Sequence, residues 1–283
     1  MSARGELTFR RRPIFEEAPK LAAFFRRDVL VLWSYRMAFF GDWFALILQI
    51  VTFYLVGKLV DPARMPTVGD DSPTYIQFVT VGIAFTSFVQ VATVRLGAAI
   101  RNEQLMGTLE SLLVTPTSPT TLQLGSVIYD LAYVPVRTTI FLVLVSSLLD
   151  VQLTFSGLLP ALAVLIVFIP VVWGAGMVSA AGTLTFRRGA ITTLTVVALT
   201  LPSTTYFPAE VVPSWAQRII ELNPLTVALG AARTALLHGG SWADIAPTLA
   251  QLAPVAIVSL GLGFFAFKLA LRRERRLGTL GLY

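Results

Sequence analysis

The chain has no cysteine, a single histidine and few charges: 13% of its 283 residues are Asp, Glu, Lys or Arg. Without cysteine there is no disulfide framework, no thiolate metal site and no cysteine nucleophile. The lone His238 builds no histidine cluster and supports no Ser-His-Asp set; it reads as a polar residue near a helix end. A glycine-rich phosphate loop of the G-x-x-x-x-G-K-[ST] type is also missing, so the chain has no nucleotide site of that kind. Gly261 and Gly263 lie inside an apolar run and read as packing residues. No pair of carboxylates is spaced for hydrolysis. The charge content itself is about half the ~25% of a soluble domain.

What the chain has is apolar length. It is 55% hydrophobic, with a mean hydropathy of +0.73. That is the composition of a polytopic membrane protein. The pI near 10.0 would suit nucleic acid, but the basic residues stand beside apolar runs, where they orient a membrane protein instead. Six runs approach or exceed the roughly 20 residues needed to cross a bilayer. They cover residues 37–60, 74–94, 122–149, 157–184, 189–206 and 245–267, the fifth interrupted by Pro202. Residues 1–36 precede them, and 271–283 form a basic tail. No cleavable leader is visible at the start. Residues 18–36 carry Leu21, Phe25, Val29 and Leu32 at helical spacing, with Lys20, Arg26, Arg27 and Asp28 mostly off that stripe. A basic amphipathic helix before a first span reads as interfacial, lying on the inner leaflet, with burial against other protein as the alternative.

Six spans put both ends on one side, and the basic residues choose it. Of the 22 Lys and Arg, 17 fall in the termini and the segments facing with them, 4 fall on the opposite side, and Arg137 is inside a span. Both termini are therefore expected in the cytoplasm. Residues 207–240 are then external. Ser214–Leu222 and residues 225–237 are helical in pattern but too short to cross, with Asn223-Pro224 between them and Gly239-Gly240 after them. They predict a helical hairpin re-entering the outer leaflet, tolerable only where protein or water satisfies its irregular backbone.

Residues 101–119, RNEQLMGTLESLLVTPTSP, fall on the cytoplasmic side between the second and third spans. Leu105, Met106, Leu109, Leu112 and Leu113 share one helical face. Glu103, Gln104, Thr108, Glu110 and Ser111 take the other. Asn102 is the expected N-cap, and Pro116 and Pro119 end the helix. At about three turns it is far too short to span.

The order E-x-x-x-G-T-L-E-x-L-L-x-T-P-x-S, carried by Glu103, Gly107, Thr108, Leu109, Glu110, Leu112, Leu113, Thr115, Pro116 and Ser118, resembles the cytoplasmic coupling region of type-2 ABC exporter permeases. The stretch 206–233 is similar to that family's external segment, through Pro208, Glu210, Pro213, Trp215, Glu221, Asn223, Pro224 and Arg233. The order of spans matches over nearly the whole chain. The resemblance implies an all-α polytopic membrane protein: six transmembrane helices, an N-terminal interfacial helix, a cytoplasmic coupling helix over 101–119 and an external re-entrant helical hairpin over 207–240. It implies a non-catalytic transport subunit of a bacterial plasma (inner) membrane. Two copies of an ABC ATPase would bind ATP and Mg, this chain binding no cofactor or metal. A second permease copy or homologue would complete the path, in contact with membrane lipid. An amphipathic compound, lipid or glycan is the implied cargo.

Asp130 and Arg137 are the charges well inside an otherwise apolar span. Each costs roughly 2.5–3.5 kcal/mol at a helix centre, so both should face protein or water. Seven residues apart, they share a face but sit about 10 Å apart along the axis. They read either as a polar patch on the route or as charges paired with a neighbouring helix simply to be tolerated. Gly174, Gly176, Ala180 and Gly182 let helices approach closely, within one subunit or at a dimer seam. The rival reading is a secondary transporter driven by an ion gradient. It predicts internal repeats or paired broken helices with acidic residues near mid-membrane. A membrane enzyme acting on lipids would need an acidic or histidine cluster that the sequence lacks.

Overall fold

A computed structural model describes residues 14–59, 75–105, 119–148, 152–186 and 190–277. All the regular structure there is helical. The helices are α1 (Ile14–Ser34), α2 (Arg36–Gly57), α3 (Tyr75–Leu105), α4 (Pro119–Leu148), α5 (Leu158–Phe186), α6 (Ala190–Thr200), α7 (Ser214–Leu222), α8 (Pro224–His238) and α9 (Trp242–Leu277). Short 3-10 turns at Phe155–Gly157 and Ala209–Val211 lead into α5 and α7.

Among the described residues, three helical stretches are long and apolar enough to cross a membrane: Ile128–Leu148, Phe155–Phe186 and Trp242–Glu274. Three shorter apolar stretches, Trp43–Gly57, Tyr75–Gln90 and Ala190–Thr200, fall where the first, second and fifth runs were expected. The prolines inside α4, α5 and α9 do not end those helices. Side chains can satisfy the backbone they disturb; Thr139 Oγ1 donates to the carbonyl of Pro135 at 2.9 Å.

α5 is the central helix. It is apolar all round, as a helix enclosed on every side must be, and buries Val164, Phe168, Val172, Met177, Ala180 and Leu184. It packs on α9 most extensively, then on α3, α8 and α6. The small residues fix the α5–α9 approach: a Cβ on Gly174 would overlap Ser259, and one on Gly263 would come within 2.6 Å of the Gly174 carbonyl. Ser259 Oγ donates to the carbonyl of Val171 at 2.8 Å across this contact. On the other side, Gly182 faces Ile191 of α6. Gly174 and Gly182 thus serve packing inside one chain.

α1 lies against α4. Phe25 of its apolar stripe meets Tyr129 at 5.9 Å, and Tyr129 stacks on Tyr133 at 5.4 Å. Tyr133 accepts a hydrogen bond from Trp43 Nε1 of α2 at 3.2 Å. The stripe is therefore partly covered by protein, while Leu30, Val31 and Trp33 remain exposed.

Two local expectations need correction. α3 continues unbroken through Asn102 to Leu105, so Asn102 caps no new helix. No proline interrupts this helix, and asparagine costs only a fraction of a kcal/mol in a helix interior, too little to stop it there. Pro119 opens α4 at its first helical position, where the missing N–H costs nothing. The second difference is larger. The fifth run does not remain helical to Tyr206. Its helix ends at Thr200, and residues 201–207 are turns and bends. Eleven residues give about 16 Å of helix, half of the ~30 Å hydrocarbon core.

Candidate functional site

The break after α6 sets free a run of carbonyls that no helix satisfies. Buried and unpaired, each would cost about 1–3 kcal/mol. Pro202 contributes no N–H and stops the helix. The next residues, Ser203, Thr204 and Thr205, are buried nonetheless. The helical hairpin of α7 and α8 supplies several of the missing donors. Asn223 joins α7 to α8; its Oδ1 accepts from the Leu225 N–H at 2.9 Å, an N-cap for α8 with Pro224 at the first position. The same side chain turns its Nδ2 to the carbonyls of Leu199 at 2.7 Å and Pro202 at 2.6 Å. One amide therefore starts one helix and closes another.

Arg233, a turn and a half from the end of α8, covers the rest. Its Nη2 donates to the Thr204 carbonyl at 2.6 Å and reaches that of Thr205 at 3.4 Å. Nη1 donates to Thr204 Oγ1 at 3.1 Å, and Nε and Nη2 both donate to the Phe78 carbonyl of α3, at 3.3 and 3.2 Å. The guanidinium lies 3.5 Å from the centroid of the Phe78 ring, a desolvated cation–π contact. Hydroxyls complete the knot. Ser203 Oγ bonds to the Thr200 carbonyl at 2.6 Å and to Thr205 Oγ1 at 2.7 Å, and Thr205 Oγ1 meets Thr86 Oγ1 of α3 at 2.9 Å. Tyr75 donates to the Tyr206 carbonyl at 3.2 Å. Gly82 of α3 has no side chain because the Thr205 carbonyl occupies the place of its Cβ.

Beside this knot lies a cavity of about 310 Å³ between α2, α3 and α4. Gln49, Thr86, Ser87, Gln90, Arg137 and Tyr206 give it a polar lining, and Leu46, Ile83, Ala45 and Val94 complete its walls. Tyr206 is fixed at one end: Gln49 Nε2 donates to its hydroxyl at 3.3 Å, and its ring stacks on Phe53 at 4.9 Å. Arg137 is buried and engaged by a group within the protein. Asp130, on the same face of α4, is also buried and engaged but does not line the cavity. Among the described residues no group of three His, Asp or Glu could hold a metal. The cavity combines polar hydrogen-bonding groups with apolar walls.

The model of the ABC-2 type transporter family matches residues 20–237, from within α1 to the last turn of α8. The chain belongs to the ABC-2 type transporter family. It is a membrane component of transport, an ABC transporter permease with apolar transmembrane helix candidates. No curated protein matches it. The matched stretch of this permease includes the broken helix and nearly all of the hairpin, and leaves out α9.

The residues singled out in the sequence are distributed unevenly. Of the coupling residues, Glu103 and Leu105 fall in the last turn of α3. Met106, Gly107, Thr108, Leu109, Glu110, Leu112, Leu113 and Pro116 lie outside the described residues. Of the hairpin residues, Asn223 and Arg233 converge on the broken helix, and Pro224 opens α8. Pro208 is buried before the 3-10 turn, whereas Glu210, Pro213, Trp215 and Glu221 are exposed. Sequence reasoning missed Gly82, Thr86, Ser203, Thr204 and Thr205 in the knot, and Gln49, Gln90 and Tyr206 in the cavity. One signal was available: three hydroxyl residues in a row directly after a proline, inside an apolar run, mark backbone that has left the helix.

Proposed function

We propose that this permease is the membrane-spanning subunit of an ATP-driven exporter. It crosses a bacterial plasma membrane six times with both termini in the cytoplasm. Two permease copies, or this chain and a homologue, enclose the path. Two separate ABC ATPase subunits bind ATP and Mg beneath them and dock on residues 101–119. Nucleotide drives transport only through its different affinity for the two arrangements of the permease pair. The cargo is an amphipathic compound, lipid or glycan.

The observation that carries this reading is the family match over residues 20–237, which spans the coupling stretch and the hairpin together. The basic-residue distribution supports the orientation independently of it. The ion-gradient alternative would use the freed carbonyls of the broken helix for a cation, as secondary transporters do. Here the carbonyls of Phe78, Thr204 and Thr205 already face the guanidinium of Arg233. A sodium ion would have to displace a buried cation that this chain carries itself.

Glu110→Lys tests the proposal. It reverses a charge on the polar side of the coupling stretch and touches no span. A charge facing a partner in a partly buried contact is worth about 2–5 kcal/mol. The variant should insert normally, retain its ATPase poorly on purification and lose transport in inverted vesicles. Normal ATPase retention together with normal transport would reduce the stretch to a connector.

A further inference from the structure

α9 runs for 36 residues, about 54 Å, longer than a bilayer needs, and it stays docked on the protein to its last turns. Phe267, Ala270 and Leu271 pack with Met177, Ala180 and Leu184 of α5. Glu274, on the same side, is buried and engaged within the protein. The other side is uncovered. Val258, Leu262, Phe265 and Leu269 are exposed there, and the exposed bases Lys268, Arg272, Arg273 and Arg276 continue them. At 3.6 residues per turn all eight fall within about 140° of arc. One sector of the helix therefore changes from apolar to basic without changing its direction. Its depth follows from the far end. Trp242 is exposed there, and Lys268 lies about 39 Å further along the axis. That is close to the ~40–45 Å of a bilayer with its headgroup regions, whose boundary tryptophan favours. The inner half of the hydrocarbon core is ~15 Å, about ten residues of helix, which is the distance from Val258 to Lys268.

We propose that this sector of α9 binds an anionic phospholipid of the inner leaflet, its tails along Val258, Leu262, Phe265 and Leu269 and its phosphate among Lys268, Arg272, Arg273 and Arg276. The inference rests on the cytoplasmic placement of the termini and assigns a partner to this face. Apolar and basic sections follow one another in a single sector, as the tail and head of one lipid do, and the apolar section has the length of one leaflet. Side chains of a helix lean toward its N-terminus, here back toward the bilayer, so arginines one to two turns below Lys268 reach the phosphate level. The sign of charge does not rest on any single acid. Seven acidic residues fall on the cytoplasmic side against the 17 bases, so ten bases would remain if every acid were paired. Bases clustered directly inside a span attract anionic headgroups. A zwitterionic lipid offers the same tails but brings a cation of its own. Because Phe267, Ala270 and Leu271 hold the opposite side on α5, the bases keep their place under the apolar strip without a loss of helix order on binding.

The absence of cysteine permits a local test on the full chain. Leu269→Cys and Ala250→Cys, both at exposed positions of α9, are each labelled with bimane and reconstituted into phosphatidylcholine vesicles. A small, equal fraction of the lipid carries bromine, as phosphatidylglycerol in one set and as phosphatidylcholine in the other, and brominated tails quench the label on contact. At residue 269 the anionic lipid should be preferred by about tenfold or more, the effect of more than one base near a headgroup. At residue 250, in the outer half of the helix, the two lipids should quench alike. Arg272→Gln combined with Arg273→Gln, again at exposed positions, should lower the preference at residue 269 by about fivefold or more. Arg272→Lys combined with Arg273→Lys should keep it, since the attraction is to charge. Excess inorganic phosphate should not erase it. Equal quenching at residue 269, the same preference at residue 250, or an unchanged preference in the glutamine pair would overturn the proposal. Erasure by phosphate would assign the bases to a soluble anion instead. A glutamine pair that releases the ATPase while residue 269 shows no lipid preference would assign them to the protein partner. The vesicle measurement uses the permease alone. A permease with cytoplasmic termini and a retained ATPase, but with no preference at residue 269, would sink this inference and leave the exporter reading standing.

Discussion

Replacing Arg233 with alanine strips the donor from two buried carbonyls outside any helix, those of Thr204 and Thr205, and removes a second donor from the Phe78 carbonyl, which keeps its partner within α3. Each buried acceptor left alone costs about 1–3 kcal/mol. The lost contact with the Phe78 ring adds about 2 kcal/mol in a desolvated setting. The sum overstates the effect, because the truncated side chain leaves room for water to reach some of the carbonyls. A net cost of about 3–5 kcal/mol follows, among the larger values for a point substitution. At about 2–4 °C per kcal/mol this is a drop of about 6–20 °C in the apparent unfolding midpoint. The midpoint is read by heating the detergent-solubilised protein and following the monodisperse peak by size exclusion. Arg233→Lys separates charge from geometry. Lysine keeps the cation but offers a point charge where a planar fork bridges α3 and the broken helix. It should recover less than half of the loss. A midpoint for Arg233→Ala within about 2 °C of the unmutated chain, no more than the effect of ~1 kcal/mol, would refute the knot as the support of residues 201–207.

Asn223→Ala removes the N-cap of α8 and both donors to the broken helix; a loss of about 2–4 kcal/mol is expected, seen as a lower midpoint, with Asn223→Asp recovering the cap alone. Gly82→Ala places a methyl on the Thr205 carbonyl and should cost about 1–3 kcal/mol, whereas Gly230→Ala, with open space around it, should be neutral or slightly stabilising in the same assay. In this cysteine-free chain, Ser72→Cys and Ser214→Cys should react with an impermeant thiol reagent on intact cells, and Ser118→Cys and Thr279→Cys only after permeabilisation; labelling of Thr279→Cys from outside would overturn the six-span topology.

The parts of this fold that were legible in the sequence are those written locally. Ser214–Leu222 was read with the bounds the structure gives, because Pro213 and Asn223-Pro224 punctuate it on both sides. Gly239 marked the end of α8, where the backbone takes a φ of 64° that glycine accepts freely. The apolar runs marked α4, α5 and α9. The end of α6 was not legible in the same way. Pro202 signalled an interruption, but hydropathy over 189–206 stays that of one span. What makes the break tolerable lies 21 to 28 residues further on, in Asn223 and Arg233. Arg233 was counted as an external charge. Nothing in its neighbours says that its partners are main-chain oxygens and not carboxylates or water. Asp130 and Arg137 were given one face because seven residues make about two turns of a helix, and both do lie within α4. The cavity beside Arg137 was not seen, because glutamines from two other helices complete it and single glutamines carry no periodic signal.

The knot also has a history in time. The chain leaves the ribosome from its N-terminus, so the carbonyls of residues 199–206 are made before their donors. Arg233 follows Thr205 by 28 residues. At about 5–20 residues per second, the half-helix waits on the order of one to six seconds for the side chain that satisfies it. During that interval the segment is a poor occupant of lipid, too short to cross and open at its end. It must stay near water or the insertion machinery until α8 arrives. The hairpin is therefore an assembly step as much as a finished structure. A chain halted anywhere between Thr205 and Arg233 should be recognised as unfinished and degraded, although every long apolar run before α9 has already been synthesised.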